Sequence, residues 1–142
     1  MTASARRCSV LLIKPVELPS PDRGKLEALG FQVTEVREWP EGDRAILDFH
    51  VVILPVQKME SAGMLAARVR AKPRFGRRVL IAIVPASTTD RERLAARTSG
   101  FDDVLNDGCD ERLLASRILK HLRARPELDC LLRPVKRRRF VA

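Results

Sequence analysis

Five short apolar runs, each separated from the next by a segment with helical spacing, restrict this chain's fold more than any other feature. They read SVLLI (9–13), FQVTEV (31–36), HVVIL (50–54), RVLIAIV (78–84) and DDVL (102–105). Runs this short, rich in β-branched residues and bounded by turn formers, predict strands, because a buried helix would need about ten residues or more. FQVTEV alternates apolar and polar residues, as a half-exposed strand does, and RVLIAIV is apolar enough to predict a central one.

The intervening segments favour helices. PDRGKLEALGF carries Leu26 and Leu29 ahead of a capping Gly30, with Pro19 and Pro21 delaying its start. EGDRAILDF predicts a weak, short helix, and SAGMLAARVRAK a better one with Leu65, Val69 and its alanines on one side, broken by Pro73 and Gly76. TTDRERLAARTSG predicts a helix started by Thr or Asp, with Leu94 and Ala95 facing inward and Gly100 closing it. CDERLLASRILKHLRA is the strongest, with Leu114, Ile118 and Leu122 at i, i+4 and i+8, and Pro126 stops it. Strands alternating with helices imply a parallel sheet covered on both faces, since each right-handed crossover must lie on the sheet. The expectation is one doubly wound α/β domain over 1–125, followed by a C-terminal extension over 126–142.

At 142 residues the chain can bury a sizeable core, and 45% hydrophobic with 32% charged residues describes a folded, soluble protein. No apolar run approaches the roughly 20 residues that span a bilayer. The start, MTASARRCSVLLIKP, is interrupted by Lys14 and Pro15 too early for a signal peptide. The three cysteines, Cys8, Cys109 and Cys130, are odd in number and lack metal-ligand spacing, which predicts reduced thiols, a cytoplasmic location and no metal. The formal charge is +9, and the last ten residues contribute Arg133, Lys136, Arg137, Arg138 and Arg139 with no acid. That tail suits phosphates or an acidic protein, or is simply solvated.

The third strand poses a chemical question. In open α/β sheets, ligands bind at the carboxyl ends of the strands. This strand ends in Pro55, which offers neither a charge nor a backbone donor.

The segments, taken in order and spacing over most of residues 9–124, resemble a response-regulator receiver (CheY-like) domain. SGFDDVLNDGCDERLLASRILKHL is similar to the receiver segment that runs AGADDYLTKPF into the last helix. LEALGFQVTEV resembles the end of the first receiver helix and the second strand, and HVVILPVQKMESAG the third strand and its loop, including Gly63. The resemblance implies a flavodoxin-like sheet of order 2-1-3-4-5 and a place in two-component phosphorelay signalling. It also shows what has changed. A receiver takes a phosphoryl group onto an aspartate at the end of the third strand, where Pro55 stands here. It holds Mg²⁺ with an acidic pair at the positions of Lys14 and Pro15, and an ammonium repels a divalent cation. The receiver hydroxyl falls at Pro85, with Ser87 and Thr88 nearby, the lysine at Asp107, the following proline at Gly108 and the switch aromatic at Val104.

The expectation is a degenerate receiver, or pseudo-receiver, without Asp phosphorylation, enzymatic activity, metal or cofactor, acting through a protein partner such as a histidine kinase or another regulator. Lys14 and Asp107 exchange the signs used by the family, so an ion pair between them could replace metal and phosphate. In receivers the last two helices and the strand between them commonly mediate dimerisation or docking, which makes Arg112, Arg117, Lys120 and Arg123 candidate partner-binding residues. ELDCLLR adds Leu128, Leu131 and Leu132, suited either to covering the core edge or to pairing with another subunit. The alternative is a nucleic-acid-associated protein on a receiver-like scaffold, using the basic tail. A hydrolytic site has no support: His50 and His121 are placed away from Thr88 and Thr89, and neither GxGxxG nor a P-loop occurs.

Overall fold

The computed structural model describes residues 8–15, 21–40, 46, 48–56, 59–71 and 78–125, with backbone alone at 59–62 and 65. Five strands form one parallel sheet: β1 (Ser9–Ile13), β2 (Gln32–Val36), β3 (Val51–Pro55), β4 (Val79–Val84) and β5 (Asp103–Asn106). The order is β2-β1-β3-β4-β5, so the doubly wound expectation holds. The register pairs Leu12 with Ile53, Ile53 with Ile81 and Ile83 with Leu105. Every residue of β4 is buried, and β4 is an interior strand between β3 and β5.

Among the described residues, four helices cover the sheet: α1 (Arg23–Ala28), α2 (Met59–Arg70), α3 (Asp90–Ser99) and α4 (Glu111–Arg123). Side chains alternate across each strand, so the core divides into two layers. Val10, Leu12, Ile53 and Ile81 pack on one face with Leu26 of α1 and Leu114, Ile118 and Leu122 of α4. Leu11, Val52, Leu80 and Val84 pack on the other with Ala66 and Val69 of α2 and Ala96 of α3. Each fully buried Leu or Ile contributes about 1.5–3 kcal/mol, which is why α4, with three such residues, anchors its face.

The helix starts follow local chemistry. Asp22 accepts from the Lys25 amide at 2.8 Å, and Asp110 from the Arg112 amide at 2.9 Å. Thr89 and Glu92 form a reciprocal capping box at the head of α3. Gly100 ends α3 with φ +131°, a conformation that side chains with a Cβ rarely adopt. At Gly63 an added Cβ would come 2.9 Å from Ser99 Oγ, so glycine permits the close approach of α2 and α3.

Three expectations need correction or restriction. Leu94 and Ala95 face solvent, Leu94 being 65% exposed, and Ala96 is the residue that α3 buries. Leu29, expected within the first helix, is its exposed C-cap, one residue past Ala28. The helix expected over EGDRAILDF falls mostly outside the described residues; Ile46 is buried, and its carbonyl accepts from the Phe49 amide at 3.0 Å. The extension over 126–142, with Arg133, Lys136, Arg137, Arg138 and Arg139, lies outside them entirely.

Candidate functional site

The carboxyl edge of the sheet gathers the residues singled out from the sequence. After β1 come half-buried Lys14 and Pro15, with the Lys14 amide donating to the Val36 carbonyl at 2.8 Å. β3 closes on half-buried Pro55, and the next amide, that of Val56, donates to Ile83 O at 2.8 Å. Exposed Pro85 follows β4 and opens a turn closed by the Thr88 amide at 3.0 Å. Asp107 follows β5, exposed, its amide donating to Val84 O at 2.7 Å. Prolines therefore stand after β1, at the end of β3 and after β4. None supplies a carboxylate, a hydroxyl or an amide donor.

This donor set does not fit Mg²⁺, which requires hard oxygen ligands, usually carboxylates, in near-octahedral geometry. Lys14 brings a positive charge to this edge, and among the described residues no group of three acidic, His or Cys side chains could hold a metal. Gly108 adopts φ +87°, a value forbidden to proline's ring, so the backbone after β5 excludes the residue that receivers carry there.

The expected Lys14–Asp107 ion pair is not formed: among the described residues, no ion pair involves either side chain. The strand order supplies the reason. β3 and β4 lie between β1 and β5, and three inter-strand spacings amount to about 14 Å. The link between loops at this edge is made instead by Arg93 on α3. It donates to Asn106 Oδ1 through Nη2 and, at 3.4 Å, to the Thr88 carbonyl through Nε. In the sequence, only Arg93's place in the first turns of α3, close to the ends of β4 and β5, marks it for this role.

A cluster of ion pairs lies elsewhere, among β5, α3 and α4. Asp103, 2% exposed, receives Arg117 Nη1 at 2.9 and 3.0 Å on its two oxygens. His121 Nε2 lies 2.9 Å from Oδ2, Arg97 Nη2 lies 3.7 Å from Oδ1, and the Val104 amide donates to Oδ1 at 3.0 Å. Burial by itself would raise the Asp103 carboxyl; the contacts with His121, Arg117 and Val104 outweigh it and hold the group below the usual carboxylate range. Adjacent Asp102 accepts from the Leu80 amide at 2.7 Å and pairs with Arg70 and Arg125, fastening the end of α2 and the exit of α4 to the sheet.

The four candidate partner-binding cations therefore separate. Arg117 turns inward to Asp103, while Arg112, Lys120 and Arg123 remain exposed. The two histidines also separate: His121 joins Asp103, and buried His50 lies at the opposite sheet edge from Pro55, its Nδ1 3.0 Å from the Ser9 amide.

A scan of protein-family models and a search of curated proteins give no match. Solved structures do match. An orphan response regulator of H. pylori superposes with a TM-score of 0.66 at 20% identity, over 81% of this chain and 96% of the other. A response regulator from Thermotoga maritima gives 0.62 at 16% identity, over 82% and 98%. The receiver domain of a sensor histidine kinase from Pseudomonas aeruginosa, determined with a magnesium ion coordinated in its active-site cleft, gives 0.63 at 18% identity, over 81% and 97%. Identities this low speak for the fold. The chain has the CheY-like receiver fold.

Proposed function

We propose that this chain is a non-catalytic pseudo-receiver: a signalling module related to two-component response regulators that works by protein–protein contact without Asp phosphorylation. The observation that carries this reading is the chemistry of the carboxyl edge, where Pro55 ends β3 and Lys14 and Pro15 follow β1. Phosphoryl transfer to a carboxylate needs the carboxylate and a cation to neutralise developing charge, and neither the acceptor nor the acidic ligands exist at those positions. The partner is a protein, of which a histidine kinase or a second regulator is the kind the fold suits. Leu94 at 65% and Leu113 at 42% exposure lie on α3 and α4, flanking β5, and offer apolar anchors on that side. The test is intact-mass spectrometry after incubation with Mg²⁺ and a small-molecule phosphodonor. The mass is expected to stay unchanged; a stable gain of one phosphoryl group on an aspartate overturns the proposal.

A further inference from the structure

Between Arg112 and Arg125 the chain carries five Arg or Lys residues and no acid. From sequence the five look equivalent, but the fold sorts them. Arg117 is held by Asp103 and Arg125 by Asp102. Arg112, Lys120 and Arg123 are exposed and make no ion pair among the described residues.

Their spacing places all three on one side of α4. At about 100° per residue, Arg112, Lys120 and Arg123 fall within an arc of about 80°, and they span about 16 Å along the axis. Ser116 lies between them on the same arc, its hydroxyl donating to the Leu113 carbonyl at 3.1 Å. Among the described residues, the carboxylates nearest along the chain precede the strip and are engaged: Asp110 caps the helix, and Glu111 Oε2 accepts from the Asp22 amide at 2.9 Å.

We infer that this strip is a docking surface for the phosphate backbone of duplex nucleic acid. Charge complementarity is the main argument. A duplex presents roughly one negative charge per 1.7 Å of axis, so the strip lies alongside a dense row of phosphates. A protein interface of useful affinity needs an apolar centre, and this arc holds no apolar residue; Leu113 and Leu119 lie about 20° beyond its two edges, Leu119 packed against the core. No aromatic side chain occurs between Arg112 and Arg125, so bases have nothing to stack on and binding is to backbone, without sequence preference. The same segment of chain continues into Arg133 and the run Lys136, Arg137, Arg138 and Arg139, so residues 111–142 carry +7 of the chain's +9. This inference is independent of the pseudo-receiver proposal, which concerns the opposite chemistry at the sheet edge.

The experiment compares the full chain with Arg112→Ala/Lys120→Ala/Arg123→Ala by fluorescence anisotropy on a labelled duplex of mixed sequence over a salt series. Each phosphate contact contributes about 0.9 to the slope of log affinity against log salt. The triple variant should lose roughly 2.7 from that slope, a difference of roughly 40-fold across a fourfold change of salt. Arg117→Ala serves as a control expected to leave the slope unchanged, and matching far-ultraviolet spectra establish that the triple variant is folded. Equal slopes for wild type and the folded triple variant overturn the inference. So does binding to a poly-glutamate peptide without binding to duplex, which identifies an acidic protein as the partner.

Discussion

Asp103 at the start of β5 and Arg117 on α4 are joined by two short contacts, 2.9 and 3.0 Å from one guanidinium nitrogen to the two carboxylate oxygens. The pair spans sheet and helix, with the carboxylate buried and the guanidinium reaching the surface. Its geometry makes the stability of the domain depend on the charge of Asp103.

Replacing Asp103 with Asn strips the charge from a site that Arg117, His121 and Arg97 surround. The expected cost near neutral pH is about 1–3 kcal/mol, the range for leaving buried donors without their acceptor. The Asp103 carboxyl sits below its ordinary value in the fold, so its contribution is full above the unfolded-state value of about 4 and is lost as pH falls through the folded value. Urea unfolding of wild type and Asp103→Asn at pH 7 and pH 3 should show the gap narrowing in acid. A gap of equal size at both pH values contradicts the assignment.

Core truncation separates the two faces of the helices. Ile118 is fully buried between α4 and the sheet, so Ile118→Ala should cost about 2–5 kcal/mol. Leu94 is 65% exposed, and Leu94→Ala should change stability by no more than about 0.5 kcal/mol. Chemical denaturation of both variants measures the contrast; a loss at Leu94 comparable with that at Ile118 would mean that α3 is turned the other way.

The alternation of strands and helices was legible in the sequence because short apolar runs and the Leu114–Ile118–Leu122 stripe repeat with the periods of strand and helix, whereas the strand order came only with the resemblance to receivers. The inward side of α3 was not. Leu94, Ala95 and Ala96 are consecutive, and in a 10-residue helix burying one small residue the periodicity cannot choose among them. The chemistry of the carboxyl edge was equally legible, since Lys14, Pro15 and Pro55 stand where the first and third apolar runs end. The link between its loops was not, because Arg93 meets Asn106 only once α3 is docked beside β5. Likewise nothing local marks Arg117 as paired and Arg112 as unpaired. The distinction depends on which turn of α4 lies over Asp103.

Thiol chemistry gives a third expectation. Cys8 is fully buried, and burial pushes its thiol up to about 12. At pH 8 the thiolate fraction is then on the order of one in ten thousand, and the thiolate is the nucleophile. Iodoacetamide labelling of the native protein, read by peptide mass spectrometry, should leave Cys8 unmodified, and denaturant should expose it fully. Rapid native labelling at Cys8 would show β1 to be open at that end.

The last prediction concerns what a carboxylate at the end of β3 would do. Extending the register that pairs Leu12 with Ile53 places Lys14 beside Pro55 on neighbouring strands. A carboxylate introduced by Pro55→Asp would therefore meet an ammonium before any metal ion, and the two charges would satisfy each other. Mg²⁺ would still lack the acidic ligands that Lys14 and Pro15 fail to supply. Pro55→Asp is thus expected to remain unmodified by Mg²⁺ and a small-molecule phosphodonor, with no gain in intact mass. Combining it with Lys14→Asp and Pro15→Asp removes the competing cation and adds oxygen ligands, and Mg²⁺ titration calorimetry should then detect binding that the single variant lacks. Phosphorylation of the single variant at position 55 would show that Lys14 does not guard this edge, and that a carboxylate there is enough for transfer.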